Sequence, residues 1–206
     1  MQFVILLAIP AVMYFVLIRP QKKRQREQAA IMAADASWVR EHIRDIADYP
    51  RPGVTFRDIT PLLGNPAAFG RAVDDLVSGF HDVAVDRVVG VESRGFILAA
   101  PVAYRLRAGF VPVRKAGKLP WAVAREEYEL EYGTDKLEIH RDAIHPRERI
   151  LVVDDVLATG GTASATGRLI ETLGGIIVGF GFLIELSDLH GRARLGEHRV
   201  ESLITF

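Results

Sequence analysis

The 206-residue chain carries 26 Lys and Arg residues against 26 Asp and Glu residues, and 49% of its residues are hydrophobic, enough to bury one substantial core. It has no cysteine, which excludes disulfides and thiolate metal sites. Five of the basic residues and no acidic residue lie in residues 1–26, so the remainder has 21 bases against 26 acids, a net charge of −5. This acidic balance argues against a nucleic acid as the main partner.

The N-terminal stretch has the composition of a membrane segment. Phe3 to Ile18 is an uninterrupted apolar run of 16 residues that contains Pro10. As a helix it would rise about 24 Å, against a hydrocarbon core of about 30 Å. The basic residues that follow indicate, by the positive-inside rule, that the next domain lies in the cytoplasm. The sequence therefore predicts an apolar helix and a basic linker over residues 1–34, in front of a domain of residues 35–206.

Residues 13–27 resemble the membrane segment of YajC, the small accessory subunit of the bacterial Sec translocon, and the likeness extends over residues 1–33. Two interpretations stay open. Residues 1–18 could tether the domain to the inner face of the membrane, with contact through residues 1–26, as a natural or engineered fusion. Alternatively, the stretch is an artefact of joining neighbouring reading frames.

Helical and strand patterns alternate along the rest of the chain. Val39, Ile43 and Ile46 recur at helical spacing and predict an amphipathic helix that ends before Pro50. Asn65 and Pro66 are typical of a helix N-cap and its first residue. Short apolar runs predict buried strands at Val88–Val91, Phe110–Val113, Ile150–Val153, Ile176–Ile184 and Val200–Phe206. We expect an α/β domain with a mostly parallel twisted sheet flanked by helices.

Residues 121–138 show a different pattern, because polar and apolar residues alternate on both sides of a turn at residues 132–135. This pattern predicts a two-stranded ribbon that could fold over a site as a lid.

The end of the strand Ile150–Val153 carries the strongest chemical signal. Asp154 and Asp155 stand where the strand should end, and a short loop leads through Gly160 and Gly161 to Thr162 and a helical pattern. Glycines let backbone N–H groups approach an anion, and a helix N-terminus adds the positive end of its dipole. The carboxylates suit vicinal hydroxyls or a hydrated divalent cation. A sugar that carries both a phosphate and hydroxyl groups fits loop and acid pair together.

Basic side chains are placed to extend this site. Arg94 follows the strand Val88–Val91 at a turn into a helix, and three cations beside a glycine, Arg114, Lys115 and Lys118, follow the strand Phe110–Val113. Because ligands bind at the carboxyl ends of parallel strands, we expect these cations near the same ligand as Asp154. A guanidinium offers a bidentate fork to a polyphosphate.

Val152 to Thr162 resembles the phosphoribosyl-diphosphate (PRPP) binding motif of type I phosphoribosyltransferases, and its last six residues are most similar to those of the adenine phosphoribosyltransferase family. Further stretches agree in order and spacing across residues 37–206: Val54–Leu63, Glu92–Phe96, Arg114–Pro120, Leu130–Gly133 and Glu185–Arg192. Ser93 and Ala116 stand where that family usually has Ala and Pro.

The resemblance implies the type I phosphoribosyltransferase fold with a β-ribbon hood, and the reaction of adenine with PRPP to give AMP and pyrophosphate. It implies contacts to PRPP from Arg94, Lys115, Tyr132, Asp154, Asp155, Ala158, Thr159, Gly160, Gly161 and Thr162. It places adenine against Val54, Phe56, Arg57 and Leu186. Glu131, Asp154 and Asp155 are the implied catalytic residues.

The resemblance further implies Mg²⁺ carried by PRPP, reached from Asp154 and Asp155 through water, with no metal site made by the protein alone. It also suggests a homodimer. Two other functions stay open: a transferase for another purine base, and a PRPP-sensing regulator without catalysis.

Overall fold

The computed structural model describes residues 37–129 and 134–206. The predicted N-terminal helix, the YajC-like stretch and the basic linker of residues 1–34 lie outside the described residues, as do Glu131 and Tyr132. Within the described ranges no helix is both long enough and apolar enough to cross a membrane.

Helices and strands alternate through most of the chain. The helices are α1 (Ser37–Glu41), α2 (Thr60–Gly64), α3 (Pro66–Ser78), α4 (Arg94–Leu106) and α5 (Gly161–Thr172). The strands are β1 (Arg44–Ile46), β2 (Phe56–Asp58), β3 (Arg87–Val91), β4 (Gly109–Lys115), β5 (Val123–Glu129), β6 (Thr134–His140), β7 (Arg149–Leu157), β8 (Ile176–Glu185) and β9 (Val200–Thr205). Two 3₁₀ turns, Ser187–Leu189 and Gly191–Leu195, separate β8 from β9. Helix α1 belongs to a different compact unit from the one that begins at His42.

The main sheet confirms the predicted α/β class. Among the described strands its order is β5-β6-β4-β3-β7-β8-β9. Five neighbouring strands of this sheet, β4, β3, β7, β8 and β9, are parallel. Strands β5 and β6 form the predicted ribbon, and β6 pairs antiparallel with β4 at the edge of the sheet. The carboxyl ends of β3, β4 and β7 therefore meet at one edge of the sheet.

Strand β7 lies at the centre, between β3 and β8, and its residues Ile150 to Val153 have no exposed surface. A strand covered on both faces buries consecutive side chains, which explains the continuous apolar run in the sequence. Helix α4 packs against β3 and β7, whereas α5 packs against β5, β7 and β8. The core that includes α5 also contains Val89 and Val152 from alternate positions of the central strands.

Helix α3 begins as its sequence predicts. The Asn65 side chain accepts hydrogen bonds from the backbone N–H groups of Ala67 and Ala68, at 3.0 and 3.1 Å. Pro66 occupies the first helical position, where no N–H donor is needed.

The predicted helix through Ile46 is wrong beyond Glu41. Arg44–Ile46 forms β1, which pairs antiparallel with β2. All three β1 residues are exposed, so the helical spacing of apolar residues there does not mark a buried face. Pairing with β2 decides the conformation, and that pairing is not visible in the local pattern.

Candidate functional site

A cleft of about 430 Å³ opens at the carboxyl edge of the central strands. It is bounded by the ends of β3, β4 and β7, the start of α5 and the inner face of the ribbon. Nine predicted PRPP-binding residues line it: Arg94, Lys115, Asp154, Asp155, Ala158, Thr159, Gly160, Gly161 and Thr162. Residues that are far apart in the chain are thus brought to one site.

The loop from Ala158 to Gly160 leads into the N-terminus of α5. Gly160 has a φ of +78°, a left-handed conformation that favours glycine, and no side chain caps the helix. The first N–H groups of a helix have no partner inside it, and here the residues that carry them line the cleft. These donors, with the helix dipole, form a site for an anion such as a phosphate.

The prediction that the strand ends at Val153 is wrong, because pairing with β8 continues β7 to Leu157 and places Asp154 and Asp155 inside the strand. Helix α4 contacts this acid pair. Asp154 Oδ1 accepts a hydrogen bond from the Asp155 N–H at 2.9 Å. A Cβ at Gly95 would lie 2.6 Å from the same oxygen, so only glycine lets α4 approach this carboxylate. Arg94 Nε lies 2.8 Å from Asp155 Oδ2. That oxygen is buried, and among the described residues no donor is aligned with it.

Burial changes the charge of these two carboxylates. It raises the pKa of Asp154 well above its ordinary value, and the adjacent Asp155 charge raises it further. Burial also raises the pKa of Asp155, although the Arg94 guanidinium opposes this shift. The pair therefore keeps a proton more readily than ordinary aspartates do. Hydroxyl donors or a cation beside it would favour the fully charged form.

A basic loop on the β4 side of the cleft is anchored by Glu92. Its carboxylate accepts hydrogen bonds from Lys118 Nζ, from Arg114 Nε at 3.3 Å and from the Lys115 N–H at 3.2 Å. Burial alone would raise the pKa of Glu92, but these hydrogen bonds together lower it, so the carboxylate is ionised. Glu92 thus holds two cations of the loop, while Lys115 reaches the cleft.

The ribbon contributes to the cleft through Tyr128 on β5 and Leu137 on β6. Asp135 Oδ2 lies 3.0 Å from Lys115 Nζ, and this partner raises the pKa of the lysine. Glu126 pairs with Arg168 of α5. Ion pairs therefore join the ribbon to β4 on one side of the cleft and to α5 on the other.

The residues predicted to hold adenine lie beside the cleft and do not line it. Arg94 stacks over the Phe56 ring, with 5.2 Å from its Cζ to the ring centroid. Arg57 pairs with Asp45 and lies over the Phe206 ring at 4.0 Å.

Two other predicted base contacts are placed by backbone hydrogen bonds. The Leu186 N–H donates to the carbonyl oxygen of Leu157, a cleft residue, at 2.9 Å, and the next residue, Ser187, donates its N–H to Phe206 O at 3.0 Å. The carbonyl of Val54, two residues before β2, accepts the Tyr49 N–H at 3.0 Å. Strand β2 thus lies beside Arg94 through Phe56, and the segment after β8 lies beside the cleft residue Leu157.

Comparison with known proteins agrees with this site. The sequence model of the phosphoribosyl transferase domain family matches residues 63–202. An adenine phosphoribosyltransferase of Anaeromyxobacter dehalogenans is 55% identical over 168 residues, 82% of this chain and 98% of the relative. The chain belongs to the adenine phosphoribosyltransferase family.

Solved structures of family members share the fold. The adenine phosphoribosyltransferase of Thermoanaerobacter pseudethanolicus is 47% identical, with a TM-score of 0.81, covering 83% of this chain and 99% of that one. The Saccharomyces cerevisiae enzyme, complexed with D-2,5-dideoxy-2,5-imino-altritol 1,6-bisphosphate and adenine, is 39% identical with a TM-score of 0.79; the match covers 84% of this chain and 99% of that one.

The sequence does not single out two residues of the cleft, Glu92 and Tyr128, or Asp135, which pairs with the cleft residue Lys115. Glu92 is part of a motif in the sequence, and Tyr128 and Asp135 are part of an alternating ribbon. The ribbon register pairs Tyr128 with Asp135. Burial alone would raise the pKa of Asp135, but its hydrogen bond with Lys115, with smaller contributions that include one from Tyr128, lowers it. Only the register of the two strands could have revealed this pair.

Proposed function

We propose that this chain transfers the phosphoribosyl group of PRPP to adenine, giving AMP and pyrophosphate. One observation carries the proposal: an uncapped helix N-terminus, an acid pair of which Asp155 is buried, and an arginine meet at the carboxyl end of β7. The helix N-terminus fits the 5′-phosphate, the acid pair fits the ribose hydroxyls, and Arg94 with Lys115 fits the diphosphate.

Each part of the loop has a role in this proposal. The backbone N–H groups of residues 158–162 and the hydroxyls of Thr159 and Thr162 bind the 5′-phosphate. Tyr132 adds a further contact to PRPP, on the basis of the sequence alone.

The transfer exchanges one bond for another at the anomeric carbon. The bond to the diphosphate oxygen breaks and its electron pair leaves with pyrophosphate, while a ring nitrogen of adenine forms the new bond and loses its proton. Asp154 and Asp155 favour the cationic sugar that develops between these events. Glu131, which rests on sequence alone, is our candidate for steering or deprotonating adenine.

Mg²⁺ fits this site only as a partner of the substrate. In the described part of the chain no cluster of three or more His, Cys, Asp or Glu residues could hold a metal ion. Asp154 and Asp155 are two adjacent carboxylates, and the buried Asp155 Oδ2 has no aligned donor, so they suit water molecules of a hydrated cation. The cation, when bound, supplies charge that stabilises the leaving pyrophosphate.

Adenine is the proposed base because Phe56 lies beside Arg94 and Leu186 lies beside the cleft residue Leu157. Phe56 and Leu186 offer apolar faces to a planar ring, and the backbone near Val54 and Arg57 offers hydrogen bonds to its edge. The yeast relative was solved with adenine bound, which supports this choice.

A base-competition assay tests the choice of substrate. The full chain is incubated with PRPP, Mg²⁺ and equal concentrations of adenine, hypoxanthine and guanine, and the nucleotides formed are separated. We expect AMP to dominate by about 100-fold or more, because a site built to hydrogen-bond one base edge rejects another. Predominant IMP or GMP would identify a transferase for another base, and no nucleotide at all would favour a regulator.

We also propose a homodimer. Ile97 and Tyr104 share one face of α4, seven residues apart, and are 42% and 83% exposed. Phe110 of β4 is 37% exposed and packs edge-on against Phe96. An exposed apolar face of this kind is typical of an interface between subunits.

For the N-terminal stretch we infer, from the sequence alone, a membrane contact through residues 1–26 with the enzyme domain in the cytoplasm. Fractionation of cells that express the full chain tests this inference. Recovery in the membrane fraction is expected, and a wholly soluble full-length product would contradict the tether.

A further inference from the structure

Gly191, which does not line the cleft, touches the phosphate loop from behind. A Cβ at Gly191 would lie 2.1 Å from the Ala158 carbonyl oxygen and 2.9 Å from the Gly160 nitrogen. A Cβ at Gly160 would lie 2.4 Å from the Gly191 carbonyl oxygen. The two backbones are thus in direct contact, and no side chain fits between them. Gly191 forms the rear wall of the loop that carries the anion-binding N–H groups.

Arg192, the next residue, fixes the position of that wall. Its Nε and Nη2 donate to the two carboxylate oxygens of Glu185, at 2.9 and 2.5 Å, and its Nη1 donates to the Val200 carbonyl oxygen at 2.7 Å. A bidentate pair holds a guanidinium in one orientation. Glu185 is 8% exposed and accepts a further hydrogen bond from Ser202. The start of the second 3₁₀ turn is therefore tied to β8 and β9.

Among the described residues, backbone hydrogen bonds also hold the loop, such as the one from the Ser164 N–H to the Gly160 carbonyl oxygen at 2.9 Å. Gly160, the residue before α5, makes no side-chain cap, and Ala158 and Gly160 have no side chains that could anchor them. At the strand end, the Leu186 N–H holds the Leu157 carbonyl oxygen at 2.9 Å. The segment from Leu186 to Gly191 thus contacts the loop at its start, through Leu157, and at its end, through Gly160.

We propose that Arg192 is a positioning residue for the sugar 5′-phosphate, acting through Gly191. The Arg192–Glu185 pair presses the Gly191 backbone against Ala158 and Gly160, and so sets the direction of the loop's N–H groups. This inference rests on the proposed function, because it assumes that the 5′-phosphate binds to this loop.

The test compares two ligands that occupy different parts of the cleft. Calorimetry on the full chain measures the affinity for ribose 5-phosphate, which needs the loop, and for pyrophosphate with Mg²⁺, which needs Arg94 and Lys115. For Arg192→Met we expect the Kd of ribose 5-phosphate to rise about 10- to 100-fold, as small misplacements of binding groups do. The Kd of pyrophosphate should change by less than about twofold, since its cations lie elsewhere.

Three further variants separate positioning from general destabilisation. Arg192→Lys keeps the charge without the fork and should give an intermediate loss. Gly191→Ala leaves Arg192 in place, but its Cβ displaces the loop, so it should show the same selective loss. Arg149→Met is the matched control, because Arg149 forms a similar two-point pair with Asp86 at the opposite end of β7. The affinity of Arg149→Met for ribose 5-phosphate and for pyrophosphate should equal that of the wild type.

Each outcome decides a different claim. A wild-type affinity of Arg192→Met for ribose 5-phosphate overturns the inference, as does an equal loss of affinity for both ligands. If the wild-type chain itself binds pyrophosphate but no ribose 5-phosphate, the proposed function fails, and this inference fails with it.

Discussion

Asp154 and Asp155 are neighbours in the chain, yet they make different contacts with α4. Asp154 packs on the bare backbone of Gly95, while Asp155 lies beside the Arg94 guanidinium. Burial raises the pKa of both, and only Asp155 has a cation that opposes the shift to any large extent. A site that binds a cationic sugar benefits from this arrangement, because the carboxylates can become fully charged when positive charge develops.

The raised pKa of Asp154 has a consequence for stability. Between the ordinary Asp pKa of 3.8 and its raised folded value, the native state binds more protons than the unfolded state. Stability must therefore fall as the pH rises through this range. We expect Asp154→Asn to be more stable than the wild type at neutral pH, by about 1 kcal/mol. The difference should vanish below about pH 3.8, where both states of the aspartate are protonated.

Thermal unfolding of both proteins from pH 3 to pH 8 checks this prediction. Equal melting temperatures of the wild type and Asp154→Asn over the whole range would mean that the burial of the Asp154 carboxylate does not destabilise the folded protein.

At the scale of residues, the sequence predicts site residues that follow one another in the chain. It does not predict those whose roles depend on which strands are neighbours in the sheet. Asp154 to Thr162 could be found because strand, acids, glycines and helix follow one another in the chain. Arg94 and Lys115 could be found because Arg94 follows β3 and Lys115 is the last residue of β4. Glu92, Tyr128 and Asp135 could not, because their roles depend on which strands are neighbours.

The ribbon β5–β6 is the element whose function depends most on its attachments. Arg168 of α5 pairs with Glu126 on β5, and Lys115 of β4 pairs with Asp135 on β6. One attachment leads to the helix that starts at the phosphate loop, and the other to the basic loop. A ribbon fixed in this way can cover the reacting sugar and exclude water from it.

Loss of an attachment should let water compete with adenine. For Arg168→Met we expect the pyrophosphate released per AMP formed to rise several-fold, because PRPP is hydrolysed under a loosened ribbon. The measurement is the ratio of the two products at saturating adenine. Lys136→Met is the control, since Lys136 pairs with Glu127 inside the ribbon and both are half exposed. A ratio of one in both variants would show that Arg168 does not hold the cover in place.

Elements were predicted well where burial alone decides them. Strand β7 and helix α3 follow from an apolar run and from an N-cap. Arg44–Ile46 was predicted as helix because its apolar spacing is helical, but it is exposed and its pairing with β2 determines its conformation. A local pattern contains no information about such a partner.

Across the whole molecule, the strand order brings the site together. Because β3, β4 and β7 are adjacent and parallel, the residues that follow them share one edge. The chain connects these strands over more than sixty residues, so local sequence patterns do not predict their order. The α/β class itself follows from the alternation of helices and strands.

The exposed apolar face of α4 and β4 is the proposed interface of the homodimer, and substitutions there test it. Tyr104→Glu places a charge at the centre of the proposed interface, and we expect it to raise the dimer dissociation constant about 100-fold or more. Sedimentation equilibrium measures the shift towards monomer. Ile176→Glu, an equally drastic change at an exposed residue where β8 begins, should leave the dimer intact. Identical behaviour of both variants and the wild type would contradict an interface on α4.

The central claim is that the acid pair and the loop at the end of β7 transfer a phosphoribosyl group. The most direct measurement is the rate of AMP formation from adenine and PRPP with Mg²⁺, by the full wild-type chain and by Asp155→Asn. We predict that the wild type forms AMP and that kcat/KM of the variant is lower by about 100-fold or more, with its circular dichroism unchanged. No AMP from the wild type, or near-normal turnover by a folded Asp155→Asn, would contradict the account.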